Sequence, residues 1–236
     1  MGRKAIWLEI EASLRAEIAD GHYRPGDKLP TEAALSTRFG VNRHTVRRAL
    51  AALQDAGLTH SRRGAGVFVT AKPTAYRLTK RTRFHTNLEA AGQSARKIFL
   101  RLETRFSDAK EAEMLRMEPG QSVHVSEGIG MSDGVPLTLS RSLFPADRLP
   151  AFLEHLRATT SITHALDLSG VQDYIRAWTR ISAERASATQ AGHLHCSEGT
   201  ALLRTHSLNV DTAGQPVEYG ETWFVGDRIE LIVEPS

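Results

Sequence analysis

The apolar positions of the first seventy residues follow a helical period and then an alternating one. Ile6, Ile10, Leu14 and Ile18 recur every four residues with charges between them, and Gly21 stops the run, which predicts a first helix. Arg24-Pro25-Gly26-Asp27 reads as a turn. Thr31, just after Pro30, is placed to cap a short amphipathic helix carrying Ala34, Leu35 and Phe39, ended by Gly40. Asn42 caps a third helix whose buried stripe is Val46, Ala49, Leu50 and Leu53, closed by Gly57. Residues 58–70 then read as a hairpin turning through Gly64-Ala65-Gly66 into Val67-Phe68-Val69.

A second pattern starts near residue 84. Residues 71–83 contain Pro73 and five basic residues (Lys72, Arg77, Lys80, Arg81, Arg83), which predicts a linker. A helix ending at Gly92 follows, in which Thr86-Asn87-Leu88-Glu89 has the spacing of a capping box. A strand is expected at 95–106 and a helix at 108–117. Strands at 122–131 and 136–144 flank Asp133-Gly134, a strong hairpin signal. Helices are expected at 149–157 and 161–168, and a strand at 174–181, with Tyr174, Arg176, Trp178 and Arg180 on one face. A helix at 183–193, a strand pair at 201–210 and 216–224, and a last strand at 229–233 complete the chain. The expected fold class is α+β. A three-helix head with a hairpin (1–70) is followed by a linker (71–83) and a mainly antiparallel sheet domain (84–236).

With 236 residues, 41% of them apolar and 24% charged, the chain is long enough for two folded domains, which excludes wholesale disorder. Its longest apolar runs fall short of the ~18–20 residues of a spanning helix, and no apolar leader follows the N-terminus. A single cysteine, Cys196, excludes a disulfide framework. These features predict a cytoplasmic protein with no membrane partner. The net charge of +3 is unevenly divided. Residues 1–70 hold 11 Lys/Arg against 7 Asp/Glu, a net of +4, and the remainder hold 19 against 20, a net of −1. A basic head on a near-neutral body points to a polyanion reader with a second function.

On the third helix, Arg43, His44, Arg47 and Arg48 fall outside the apolar stripe, with 43/47 and 44/48 each four residues apart. A short helix showing arginines away from its core can enter a major groove, where Arg pairs with the edge of guanine. Arg62 and Arg63 beside the Gly-rich hairpin tip suit a wing lying on phosphates. A merely solvated helix face is the plain alternative. The coincidence of capped helix–turn–helix spacing with a basic hairpin favours double-stranded DNA.

The segments Lys28-Leu29-Pro30-Thr31-Glu32, Phe39-Gly40-Val41-Asn42-Arg43-His44-Thr45-Val46-Arg47-Arg48-Ala49-Leu50 and Gly64-Ala65-Gly66-Val67-Phe68-Val69 closely resemble the winged helix–turn–helix of the GntR family. The resemblance implies a homodimeric bacterial repressor that binds operator DNA. The residues assigned to DNA are Thr31, Glu32, Arg38, Asn42, Arg43, His44, Thr45, Arg47, Arg48, Arg62, Arg63, Gly64 and Gly66. Residues 82–236 resemble the HutC branch of that family, with a chorismate-lyase-like (UTRA) sensor domain. The stretches that carry this are Asp133-Gly134-Val135-Pro136, Glu198-Gly199-Thr200-Ala201-Leu202-Leu203, Gln215-Pro216-Val217-Glu218-Tyr219 and Gly226-Asp227-Arg228. Leu78–Leu88 and Ser140–Ala146 are similar to regulators of phosphonate uptake and carbon–phosphorus bond cleavage. Regulation of an amino-sugar or histidine operon is the alternative the branch allows.

The resemblance implies a small anionic effector. Lys80, Arg81 and Arg83 crowd the start of a helix, where free N–H groups favour an anion, although the Thr86 capping box could satisfy that helix internally. The effector residues so assigned are Arg81, Thr82, Arg83, Phe84, Arg141, Ser161, Thr163, Glu218 and Phe224. Sugar-phosphate-sensing relatives carry arginines where Gly128 and Gly130 stand here, and tyrosines at the places of Thr163 and Phe224, so Arg81, Arg83 and Arg141 are expected to supply the charge. His193-Leu194-His195-Cys196 fixes no carboxylate partner and reads as a helix end rather than a metal site. No Gly-x-Ser-x-Gly elbow, Walker loop or His-Glu-x-x-His is present, and no cofactor is expected. An enzyme retaining chorismate-lyase-like catalysis is the rival reading. Against it, residues 71–236 show no activated acid–base pair.

Overall fold

The structure is a computed structural model that describes residues 5–62, 64–70 and 73–234. It divides into two compact units, 1–72 and 73–236. Among the described residues no helix is long and apolar enough to cross a membrane.

In the first unit, α1 (Ile6–Ala19), α2 (Glu32–Phe39) and α3 (Arg43–Asp55) precede an antiparallel hairpin of β1 (Thr59–Arg62) and β2 (Gly66–Val69). The caps form as the sequence predicts. Thr31 Oγ1 accepts from the Ala34 N–H at 3.2 Å, and Asn42 Oδ1 accepts from the Thr45 N–H at 2.9 Å. Gly40, between α2 and α3, lies in the left-handed region at φ 63°, where a side chain would be strained. Ile10, Leu14, Leu35, Val46, Ala49, Leu50 and Leu53 are buried together, so the turn geometry and the packing fix α3 against the other two helices. Ile6, expected in the same stripe, is half exposed at 51% as the first residue of α1.

The second unit is built on six antiparallel strands. In chain order these are β4 (Ala95–Phe106), β5 (Ser122–Ser132), β6 (Val135–Pro145), β7 (Tyr174–Arg185), β8 (Ala201–Asp211) and β9 (Pro216–Val225). In space they run β4-β5-β6-β9-β8-β7. The two-residue Asp133-Gly134 turn joins β5 to β6 with both residues at positive φ, as a hairpin matching the strand twist requires. Among the described residues five helices decorate the sheet: α4 (Phe84–Ala90), α5 (Ala109–Leu115), α6 (Phe152–Thr159), α7 (Ile162–Leu168) and α8 (Ala188–Leu194). Phe144, Phe152, Leu156 and Leu166 bury the α6–α7 pair against one face of the sheet.

Four expectations change. Residues 74–77, expected in the linker, form β3 (Thr74–Arg77), paired in parallel with β10 (Ile229–Ile232). Thr74 and Tyr76 are buried and alternate with exposed Ala75 and Arg77, and the basic residues masked that period. Residues 71 and 72 of the expected linker lie outside the described residues. The Thr86 capping box does not form: Arg83 is the N-cap of α4 and its side chain does not cap. Asn87 instead accepts from the Arg77 N–H at 2.7 Å, tying α4 to β3. The strand begun at Tyr174 runs to Arg185 because β8 continues to pair with it, and this displaces the expected helix at 183–193 to α8, capped by Ser187. A bulge between Arg176 and Trp178 also breaks the alternation, so Trp178 and Arg180 leave the face of Tyr174 and Arg176.

His124 on β5 is buried. Its Nε2–H donates to the Leu149 carbonyl at 2.9 Å, and its Nδ1 accepts from the Thr104 hydroxyl at 2.8 Å, which is the neutral ring. Burial lowers its pKa below the usual value. The unfolded chain therefore binds more protons than the folded one below about pH 6.5, and stability falls as pH drops through that range. His206 is lowered for the same reason and adds in the same direction. The urea midpoint is expected to fall between pH 7.5 and pH 5.5, and by less in His124→Gln. An unchanged pH response in that variant would remove His124 from the effect.

Candidate functional site

The head presents its cations unequally. Arg43, His44, Arg47 and Arg48 are all exposed on α3. Arg47 is held by Glu32 in a two-pronged pair, Nε–Oε1 at 3.1 Å and Nη2–Oε2 at 2.9 Å, which lowers the Glu32 pKa. Arg38 is paired with Glu17 through both Nη atoms, which lowers Glu17. Arg48 lies over the Trp7 ring at 4.5 Å, which gives that tryptophan its packing partner. Thr45 spends its hydroxyl on Asn42 Oδ1 at 2.9 Å. Among the described residues Arg43 makes no ion pair or side-chain hydrogen bond, so the first residue of α3 carries an uncommitted guanidinium. Arg62 is a strand residue and Arg63 lies outside the described residues. Gly64 and Gly66 turn the hairpin at φ 75° and 118°, and a Cβ on Gly66 would sit 2.7 Å from Lys28 Cε. Lys28 thus joins the base of the wing, which the sequence reading missed.

A cavity of about 350 Å³ opens on one face of the sheet, roofed by α4 and by the α6–α7 corner. A sheet face packed under helices is ordinarily apolar. Here the central strands carry small polar residues at every second position. Thr138, Ser140 and Ser142 stand on β6, Thr205, Ser207 and Asn209 on β8, and all six are buried. Burying six polar side chains is costly without partners, so this face is built to be polar.

Three cations line the cavity. Arg83 donates to the Tyr174 carbonyl at 2.7 Å and stacks 3.5 Å above its ring. Arg176 donates through Nε to Asn209 Oδ1 at 2.7 Å, and burial lowers its pKa. Lys97 comes in from β4, and burial pushes its amine down to about 8. Glu218 is the carboxylate on the sheet face, and it accepts from Asn209 Nδ2 at 2.7 Å. The Tyr174 hydroxyl meets Thr163 Oγ1 at 3.0 Å, and burial raises that phenol to about 12.

Of the residues assigned from sequence, Thr82, Arg83, Phe84, Ser161, Thr163, Glu218 and Phe224 all line this cavity. The Ser161 hydroxyl is spent capping α7. Two arginines lie elsewhere. Arg81 is paired with Asp173 at 2.6 Å on the exposed surface. Arg141 points to the opposite face of the sheet because it alternates with Ser140 and Ser142. There it meets Glu111 at 3.2 Å in a smaller depression shared with Arg204, His206 and Glu221. Lys97, Tyr174, Arg176 and Asn209 were missed. Gly128 and Gly130 also gain a reason. A Cβ at Gly130 would lie 2.6 Å from the Phe84 ring and 2.4 Å from Thr138 Oγ1. One at Gly128 would lie 2.7 Å from the Ile98 carbonyl and 3.4 Å from Lys97 Cε. Phe84 and the Lys97 stem occupy the space that side chains there would need. Among the described residues no group of three or more His, Cys, Asp or Glu could hold a metal ion.

A winged helix–turn–helix head and, in the same chain, a sheet unit with a polar cavity define a class, the transcription regulators that carry a sensor domain. The chain belongs to the gntR family of bacterial regulatory proteins, with residues 7–69 matching that family and residues 90–230 matching the UTRA domain. It is 36% identical over 234 residues to an uncharacterized HTH-type transcriptional regulator of Rhizobium meliloti (strain 1021), covering 98% of this chain and 95% of the relative. It is 32% identical to the probable transcriptional regulator PhnF of Escherichia coli (strain K12), covering 97% and 94%. The crystal structure of PhnF from Mycobacterium smegmatis shares the fold, with a TM-score of 0.65 at 24% identity over 96% of this chain and 99% of that one.

Proposed function

We propose that this protein is a homodimeric cytoplasmic repressor of genes for phosphonate uptake or breakdown, modulated at its operator by a small phosphorus anion. The observation that carries the effector reading is the polar, buried sheet face ringed by Arg83, Arg176 and Lys97. Charge-assisted hydrogen bonds from such cations are the stronger class, and a half-enclosed cavity screens them less than open water does. The similarity of Leu78–Leu88 and Ser140–Ala146 to phosphonate regulators supports the choice of anion. So does the 32% identity to the Escherichia coli PhnF.

In this reading α3 enters the major groove with Arg43 and His44 leading, and each head of the dimer reads one half-site. Arg38, Arg47 and Arg48 back it, Thr31, Asn42 and Thr45 set the helix end, and the wing with Arg62, Arg63, Gly64 and Gly66 lies on phosphates. The effector acts by binding the operator-bound and free arrangements with different affinity, since equal affinity would shift nothing.

Calorimetry with phosphate and methylphosphonate, with and without an operator selected from randomised DNA, tests this. Binding is expected in the wild type, weaker by tenfold or more in Arg83→Ala, and changed by operator. Absence of binding by every phosphorus anion, or identical binding with and without operator, would sink the proposal. Recovery of unaltered ligand after long incubation is expected as well, and turnover would favour the lyase-like reading.

A further inference from the structure

We infer that the effector is a zwitterion, with a phosphorus anion that meets Lys97 and an ammonium group at its other end that Glu218 accepts. This rests on the anion reading above and names the class of molecule that fills the cavity.

The argument is an inventory of which charged groups in the cavity are already engaged. Arg83 is occupied by the Tyr174 carbonyl and ring. Arg176 is occupied by Asn209 Oδ1 at 2.7 Å and Thr179 Oγ1 at 3.1 Å. The Asn209 amide then donates to Glu218 Oε2 at 2.7 Å, so one asparagine holds an arginine and a carboxylate in fixed places. Two half-buried groups on the sheet are left over, while Glu89 of α4, the other carboxylate of the lining, is exposed to solvent. Among the described residues Lys97 makes no hydrogen bond or ion pair, its ammonium lying 5.5 Å from the Phe99 ring. Glu218 Oε1 likewise has no hydrogen-bond partner among them. The two attract each other through the cavity without meeting.

A half-buried charge with bonding capacity to spare is unfavourable, and each of these two is completed by the opposite sign. A plain dianion would complete Lys97 but bring its charge toward Glu218 in a place where water screens poorly. A ligand with an anion and an ammonium a few bonds apart completes both. The hydroxyls of Thr138, Ser142 and Thr222, which line the same cavity, carry no charge and suit either end.

The net charge of the ligand makes the test sharp. The cations on the sheet side outnumber Glu218, so bulk electrostatics alone favours the more negative ligand. Preference for the zwitterion therefore reports a specific contact. Calorimetry would compare 2-aminoethylphosphonate, ethylphosphonate and 2-hydroxyethylphosphonate. Phosphoethanolamine against ethyl phosphate would separate carbon–phosphorus from phosphate-ester sources. The wild type is expected to prefer the amine tenfold or more in each pair. Glu218→Gln should lose that preference while binding ethylphosphonate as well as or better than wild type, because a repulsive charge is gone. Lys97→Met should weaken every compound. Equal or weaker binding of the amine in the wild type overturns the inference, as does an equal gain from the hydroxyl. A uniform loss across all compounds in Glu218→Gln also overturns it. Binding of the phosphorus anions without amine preference overturns only the zwitterion, whereas no binding at all overturns the anion reading with it.

Discussion

Replacing Arg228 by methionine is expected to destabilise the sensor unit by about 3–5 kcal/mol, the cost of stranding several buried acceptors of a charged donor. Arg228 sits in the turn between β9 and β10 and is buried, with 8% of its surface exposed. Its Nη1 donates to the Pro136 carbonyl at 2.6 Å and the Leu194 carbonyl at 2.7 Å, and its Nη2 to the His195 carbonyl at 2.8 Å. The last carbonyls of a helix have no partner within the helix. Those of α8 find one here, and a cation at that end also suits the helix dipole. One guanidinium thus ties the end of α8 to the start of β6. Methionine keeps much of the stem volume and removes every donor. Lysine keeps the charge but cannot fork, so Arg228→Lys should fall between the two. Urea unfolding checks this: at a slope of about 2 kcal/mol/M the Met variant should lose more than 1 M in midpoint. A loss below about 0.5 kcal/mol would mean that water replaces the guanidinium and that the clamp is not structural.

That clamp marks the limit of what the residue pattern alone discloses. Gly226-Asp227-Arg228 stood out as a motif, but its partners lie about 30 and 90 residues away, and no local period encodes them. The parallel pairing of β3 with β10 joins the two ends of the second unit and was hidden for the same reason. Local signals fared differently. Thr31 and Asn42 each cap through a hydrogen bond three residues long, and the α3 stripe obeys its own period, so the head was readable almost residue by residue. The Asp133-Gly134 hairpin was readable because its turn needs two positive φ values in succession.

The cavity was half legible. Seven of the nine residues assigned to the effector line it, and the two that lie outside it are both arginines, chosen for charge rather than for face. Strand alternation places Arg141 opposite Ser140 and Ser142, a parity that could have excluded it. The same parity, applied to Thr138, Ser140, Ser142 and to Thr205, Ser207, Asn209, was the missed signal. Two strands with small polar residues on the same repeating face predict a polar sheet face, and so a place for a polar guest. Arg176 was harder to place because the bulge after it changes the parity of β7 midway.

At the DNA-reading head, Arg43→Ala is expected to cost about 1–3 kcal/mol of operator affinity and to relax the preference at one base pair. The structure separates Arg43 from its neighbours. Arg47 and Arg38 are engaged with Glu32 and Glu17, so removing either also strands a carboxylate and mixes folding with binding. Arg48 rests on Trp7. Arg43 is exposed at the first turn of α3 and, among the described residues, commits its guanidinium to nothing, so its loss should leave the stability of the head within about 0.5 kcal/mol. A base contact and a phosphate contact then predict different results. Loss of a base contact lowers affinity for the matched operator but leaves non-specific binding and the salt slope nearly unchanged. Loss of a phosphate contact weakens all DNA alike and makes the slope shallower by about one. Titration of matched, single-base-substituted and unrelated duplexes at two salt concentrations distinguishes them. Unchanged affinity on the matched duplex would take Arg43 out of the interface. A uniform loss with a shallower slope would move it from the bases to the backbone, leaving His44 as the next residue of α3 to substitute in search of sequence readout.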